Sequence, residues 1–434
     1  MKIYLHCLLG ILITAFLTSC ALYDSPPSAT DLTKEIWQQS IATTPGGWTE
    51  GADHWFFTGD PNGTERINRN APDSAAITTT MVRVSDFTKI KTNGAYQLQI
   101  FGTDDDDSVY VFGPNEGVSA VTVKLQEDTL IVTQTNQEVS NRVMNGVIVR
   151  IGIHQLNQLV QRGCGTVEAI RIQTDSLSLI SKGRGNIYMI GHIGLKRVVQ
   201  DGAGKITVLG VASPELVIRT SGSGSVNLMG NVGVSSIVHH GSSEINIIGA
   251  NSNHLNIYTD GSGKMGIHGI VNLAKLTAKE DTCVYITEVR SHGIEAEISG
   301  NAHVGLKGVT QDLYVKTFDS SRFWGRYLCS ANAYVTACNQ SHSNITACTK
   351  AFASASNQAS IYFYGPANLL SHFATDEASI IAMGDVTWCN LGAEYRPYSY
   401  TYAHRGEAVA VYQEVDLSAR SSWHRRANPT NYIK

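Results

Sequence analysis

The residue types able to carry chemistry are few and scattered. Beyond residue 20 the cysteines are Cys164, Cys283, Cys329, Cys338, Cys348 and Cys389. None forms a C-x-x-C pair, which argues against a zinc site. His239, His240, His254, His268, His303 and His342 show no ligand spacing that recurs. Asp104–Asp107 is a run of acids. Clustered carboxylates suit calcium, but this run lacks the alternating ligands and the glycine of a calcium loop, so a solvated turn is expected. No phosphate loop, nucleotide motif or Ser-His-Asp order stands out. Glu295, Glu297 and Lys316, next to Lys275, are the best candidates for catalysis, because they fall at matching outward offsets of the repeat described below. No paired-acid geometry of the glycosidase kind is evident among them. The expectation is therefore no catalytic residue, no cofactor and no metal.

What positions these residues is a recurring unit. Leu216–Gly230 reads L-V-I-R-T-S-G-S-G-S-V-N-L-M-G, and Leu177–Gly191 and Leu255–Gly269 repeat its pattern. Marking the first corner residue of each copy gives Gly163, Gly183, Gly202, Gly222, Gly241, Gly261, Glu280, Gly300, Asp319, Asn339, Asn357 and Asp376. Successive corners are 19 or 20 residues apart, save one interval of 18. Such regularity is the signature of a solenoid with one coil per repeat. The position four after the corner runs Val167, Ile187, Ile206, Val226, Ile245, Met265, Val284, Val304 and Phe323, whereas odd offsets are far more polar, as at Arg219, Ser221 and Asn227. This is strand alternation with one face buried. Glycine suits the corners because positive φ or a missing Cβ is needed there, and Asp and Asn are next best tolerated.

The fold class expected is all-β: a parallel β-helix, or solenoid, of about twelve coils with a period of ~19–20 residues. The general handedness of parallel crossovers favours right-handed winding, which the sequence does not show directly. Cys329 lies ten after its corner and Cys348 nine after the next, so the two could stack on adjacent coils at disulfide spacing. Buried small residues in a column are the alternative reading.

Composition narrows the partners. A net charge of −4 with 16% charged residues leaves no electrostatic footprint for nucleic acid. No apolar run is long enough to span a bilayer. Residues 1–20 have a basic start at Lys2 and a short apolar core, Leu8–Leu17, as in a secretory signal. The ending Leu17-Thr18-Ser19-Cys20 resembles the lipobox of bacterial lipoproteins. That resemblance implies that Cys20 carries the acyl (palmitate-type) chains and becomes the new N-terminus. Ala21 is not the aspartate that retains such proteins in the inner membrane, so the outer membrane is implied, on either of its sides. Residues 21–80 read as a tether, 81–384 as the β-helix, and 385–434 as a C-terminal cap or tail with Tyr395, Tyr398, Tyr400, Tyr402 and a basic end.

The opening V-x-D-F-x-K-I-x-x-x-G-A-Y-Q-L-Q-I, the later D-T-L-I-V strand and the L-x-I-x-T-x-G-S-G-x-V-x-L-x-G coils resemble the putative auto-transporter adhesin head GIN domain family, over about 82 to 270. The resemblance implies a β-helical body on exported, often lipid-anchored bacterial proteins, and no catalytic residues. The function expected is a non-enzymatic surface or envelope lipoprotein, anchored to the membrane by lipid, whose β-helix is a scaffold for adhesion or envelope structure. Its partner would be a glycan or a host or cell-surface ligand. The alternative is a polysaccharide-active lyase or hydrolase, an inference from fold analogy alone. The sequence sets no oligomeric state.

Overall fold

The computed structural model describes residues 48–50, 55–57, 77–84, 86–103, 108–384, 399–402 and 410–413. Cys20 and its leader, most of 21–80, Asp104–Asp107 and most of 385–434 lie outside the described residues. Strand makes up 72% and helix 4%, arranged as a β-solenoid of about 12 turns with a period of about 19 residues. The all-β, stacked-coil expectation holds.

Each coil is one long strand. Lys205–Thr220 pairs in parallel with Ser225–Gly241, which pairs with Glu244–Gly261, and so on down to His342–Ala355. Like offsets meet like: Ile206, Val226, Ile245, Met265, Val284, Val304 and Phe323 are in register on successive coils. Register shifts, such as those between Leu209 and Val211 and between Ser213 and Leu216, bend the strand and divide the coil into three runs. Inward residues of the coil, Ile206, Val208, Val211, Leu216 and Ile218, are at most 2% exposed. They belong to one continuous core running from Phe87 to Phe363. Each such side chain contributes roughly 1.5–3 kcal/mol by burial, and only stacking neighbours complete that burial.

One expectation needs correction, and the corner expectation gains detail. The odd offsets are not uniformly polar and exposed. Seven after the corner, Ile170, Leu209, Met229 and Ile248 are apolar and buried, yet stand outside the core cluster. They shield one another as a column, being in register along the stack with Ile190 among them. Asn227, five after its corner, is likewise buried. The corners, moreover, are of two kinds. At Gly183, Gly202 and Gly222 an added Cβ would collide with the carbonyl oxygen of the corner glycine one coil before, so glycine is required for close backbone approach. From Gly241 onward the corner residue has positive φ: 91° at Gly241, 60° at Glu280, 61° at Asp319 and 66° at Asn339. Asn and Asp tolerate that conformation, and here they also form a ladder. Asn339 Nδ2 donates to Asp319 Oδ1 at 3.1 Å, and Asn357 Nδ2 donates to Asn339 Oδ1 at 3.0 Å.

Inside the corners runs a polar row that satisfies turn carbonyls. Gln161 and Gln200 donate to the carbonyls of Gly165 and Gly204 at 2.5 and 2.7 Å, and the His239 ring bridges Thr259 Oγ1 and the Ser243 carbonyl at 2.9 and 3.0 Å. These inward polar side chains are buried with partners, as buried polar groups must be.

The N-terminal coils are not stacked in chain order. Lys89–Asn93 lies between Thr129–Gln134 on one side and Gln158–Gln161 on the other, and Gln97–Gly102 lies between Ile148–Ile153 and Val167–Ser181. The corner column therefore begins at Gly94, directly beneath Gly163. Beyond it, antiparallel pairing of Ile77–Arg83 with Ser108–Pro114, and of Val121–Gln126 with Thr129–Gln134, closes the end of the core.

The corner geometry makes a paired prediction. Gly222→Ala meets backbone and should cost about 1–3 kcal/mol, seen as a lowered melting temperature. Gly293→Ala meets nothing within 4 Å and should leave the melting temperature within error.

Candidate binding surface

Outward side chains in a solenoid form columns at the strand spacing of ~4.8 Å. Aromatic residues are unevenly spread among them. Between residues 113 and 284 the aromatics are Tyr188 and Tyr258 alone, whereas 285–373 holds Tyr285, Tyr314, Trp324, Tyr334, Phe352, Tyr362 and Phe373 among others. Tyr314, Tyr334 and Phe352 are in register on three successive coils. Their rings stack with centroids 4.8 and 5.4 Å apart and planes within 7° and 8° of parallel. Tyr314 is 47% exposed and Phe352 46%, with Tyr334 half-buried between them.

This rail is bordered on both sides by polar columns of the same pitch. Two residues earlier on each strand stand Asp312, Asn332 and Lys350, with Asn332 Nδ2 donating to Asp312 Oδ1 at 2.7 Å. Two residues later stand Lys316, Thr336 and Ser354. The carboxylates weighed for catalysis fall next to this surface: Glu295 is in register with Tyr314 and Glu297 with Lys316, while Lys275 precedes Glu295 in its column. All are exposed on a flat strand. Among the described residues, nothing walls off water or holds a sugar ring between them, which an acid–base pair would need.

A second aromatic column is packed differently. The ring of Tyr285 lies over Gly305, where a Cβ would come within 2.8 Å of it. Trp324, His342 and Tyr362 follow with tilted rings at 5.8 and 4.9 Å. These are half-buried. Burial, with repulsion from Arg322, holds the His342 imidazole below the usual histidine range.

Three further groupings come together along the stack. Ser221, His240 and Asp260 each directly precede a corner, so they follow one another down one column. His240 Nδ1 and Asp260 Oδ1 are 2.7 Å apart, but the Ser221 hydroxyl donates to Asp201 at 2.9 Å, away from the imidazole. No nucleophile–base pair is assembled. Burial pushes the Glu244 carboxyl upward, yet its neighbours in register are Ser225 and Lys264, so no second carboxylate completes an acid pair. The Sγ atoms of Cys329 and Cys348 lie 3.5 Å apart on successive coils, as their offsets imply, and Cys164 and Cys338 are free.

His268 continues the shielded column after Ile248 and is 6% exposed. Desolvation lowers its pKa to about 4, with Glu288 acting weakly the other way. A histidine whose folded pKa is depressed is neutral in the fold. Its contribution is intact above the unfolded value of ~6.5 and is lost as pH falls from there toward 4. Stability should drop on the order of 3 kcal/mol across that window from this group, and His268→Leu should flatten that part of the pH–melting profile.

The rail makes its own prediction. Each stacked pair contributes about 0.5–1.5 kcal/mol beyond area burial. Tyr334→Ala removes two pairs and Tyr314→Ala one, so the denaturant midpoint should fall further for Tyr334→Ala. A double-mutant cycle on Tyr314 and Tyr334 should return a coupling of about 1 kcal/mol.

With that geometry established, comparison with known proteins adds the following. No curated protein matches the chain. A solved putative adhesin from Bacteroides fragilis is 14% identical over 72% of this chain and 98% of its own, with a TM-score of 0.22. A putative adhesin from Parabacteroides distasonis is 14% identical over 72% and 96%, with a TM-score of 0.22. A putative lipid binding protein from Parabacteroides distasonis is 11% identical over 71% and 96%, with a TM-score of 0.24. The Tyr314–Tyr334–Phe352 rail lies beyond the family-matched part of the chain, which ends at residue 274. Over residues 86–274 the chain matches the model of the family described as "Putative auto-transporter adhesin, head GIN domain".

Proposed function

We propose that the chain is an exported envelope protein, anchored in the outer membrane by lipid on Cys20, whose solenoid is a non-enzymatic scaffold for adhesion. The observation that carries this reading is the exposed aromatic rail. A row of half-exposed rings on a rigid flat face, set between polar columns, is an arrangement for contact rather than for reaction. The adhesin description of the matched family supports the same reading. The stack also suits the task mechanically. Every coil is held by two parallel ladders, so side chains on its face keep fixed spacing. The alternative, a polysaccharide-active enzyme, would need an acid pair in a cleft, and Glu295 and Glu297 lie on an open strand.

Anchoring and adhesion are tested on cells. Wild-type protein should fractionate with the outer membrane and incorporate palmitate label, and Cys20→Ala should lose the label and shift to the soluble fraction. Cells expressing the wild type should adhere to a target surface better than deletion cells. Release of reducing sugar from polysaccharide by the purified protein would favour the enzyme instead.

A further inference from the structure

We infer that the face built by Asp312-Tyr314-Lys316, Asn332-Tyr334-Thr336 and Lys350-Phe352-Ser354 binds a neutral, extended glycan laid along the solenoid axis. This inference rests on the adhesion reading and gives it a ligand.

The geometry is a grid. Three residues of one coil face are in register with three of the next and three of the one after. The coils are ~4.8 Å apart, and same-face residues on one strand are ~6.6 Å apart. The middle column is aromatic, and the two outer columns offer a carboxylate at Asp312, an amide at Asn332, two amines and two hydroxyls. An extended sugar chain has the complementary cross-section. Its C–H face is apolar and packs on aromatic carbon, while hydroxyls project from both edges, where the outer columns stand.

The apolar area of this patch is small for a globular partner. An aromatic side chain presents roughly 150–250 Å² when fully exposed. Two half-exposed rings and a more covered third therefore offer roughly 300 Å², well short of the ~800 Å² per partner of a stable protein interface. Charge argues for neutrality. The grid holds Asp312 against Lys316 and Lys350, with Glu295 and Glu297 adjoining, so no single sign predominates. A polyanion would meet three carboxylates as well as two lysines.

The occupant also runs along the axis rather than across it. Across the strand the aromatic column is one ring wide, whereas along the axis the rings continue without a gap over three coils. Glu295 stands in register above Tyr314 and Ser371 below Phe352, so the apolar track has a defined length.

The test is affinity electrophoresis of the full-length protein in detergent micelles. Gels contain hydroxyethylcellulose, xyloglucan or galactomannan as neutral polymers, or polygalacturonate as the anionic one. At least one neutral polymer should retard the wild type. Tyr334→Ala and Phe352→Ala should each weaken that apparent affinity at least tenfold. Thr336→Arg, at a half-buried surface position, should block the track with the melting temperature unchanged, which separates lost binding from lost folding. Tyr258→Ala, an aromatic change outside the grid, should bind as wild type. Absence of retardation by every neutral polymer, retardation by polygalacturonate alone, or equal retardation of wild type, Phe352→Ala and Thr336→Arg would each overturn the inference. Adherence that survives periodate treatment of the target surface but not protease would assign a protein ligand and likewise overturn it. If deletion cells adhere as well as wild type while the purified protein is still retarded, the adhesion reading fails and the glycan site stands.

Discussion

Backbone pairing between successive coils is the constraint from which the rest of this molecule follows. A parallel ladder fixes the rise at ~4.8 Å and leaves no freedom to slide, because a slip of one residue would turn every inward side chain outward. The corners must therefore recur at the same place on each coil, and their backbones must nearly touch. That is why Gly183, Gly202 and Gly222 have no room for a Cβ. Where the corner is instead turned through positive φ, the demand for a bare backbone relaxes, and Glu280, Asp319, Asn339 and Asn357 take over. The side chains that become possible there are used, as the Asp319–Asn339–Asn357 hydrogen-bond ladder demonstrates.

The same constraint turns surface residues into columns. An aromatic placed outward at the same offset in consecutive coils must stack on its neighbour, because the ladder spacing is close to that of stacked rings. Tyr314, Tyr334 and Phe352 are the result. In the other column, glycine at 305 leaves a gap, and Tyr285 lies down over it instead of standing in a row. Identical residue types thus give an exposed track on one face and a self-packed, half-buried row on another, according to what stands one coil away.

Much of this was legible in the chain itself. The period, the corners from Gly163 to Asp376 and the buried column beginning at Val167 all follow from alternation and spacing. What was not legible depends on the third dimension. Ile170, Leu209, Met229 and Ile248 read as outward and are outward, but their mutual shielding exists only once the coils are stacked. Gly94 belongs to the corner column, and its context, N-G-A-Y-Q-L-Q-I, carries the repeat pattern. Its distance of 69 residues from Gly163 conceals it, because residues 108–153 intervene as strands and short helices of their own. The aromatic rail was missed, although its three residues each stand five before a corner, because its parallel stacking and its two polar borders exist only with the register. Glu295, Glu297, Lys275 and Lys316 were the best catalytic candidates by offset, and the register sets them in the columns that continue and flank the aromatic rail.

The doubling back of the chain at its start has a consequence for how the molecule assembles. The coil at 89–102 is sandwiched, and one of its two neighbours, 129–153, is synthesised before the other, 158–181. Closing the loop from 89 to 129 spans twice the chain of a later coil, which adds only about 0.6 kcal/mol of closure entropy. Pairing order along the chain thus lets the lid on the core form before the first regular turn exists. Each later turn then has a finished edge to grow upon, in the order in which the polypeptide arrives, and growth in the opposite sense would meet an end already sealed.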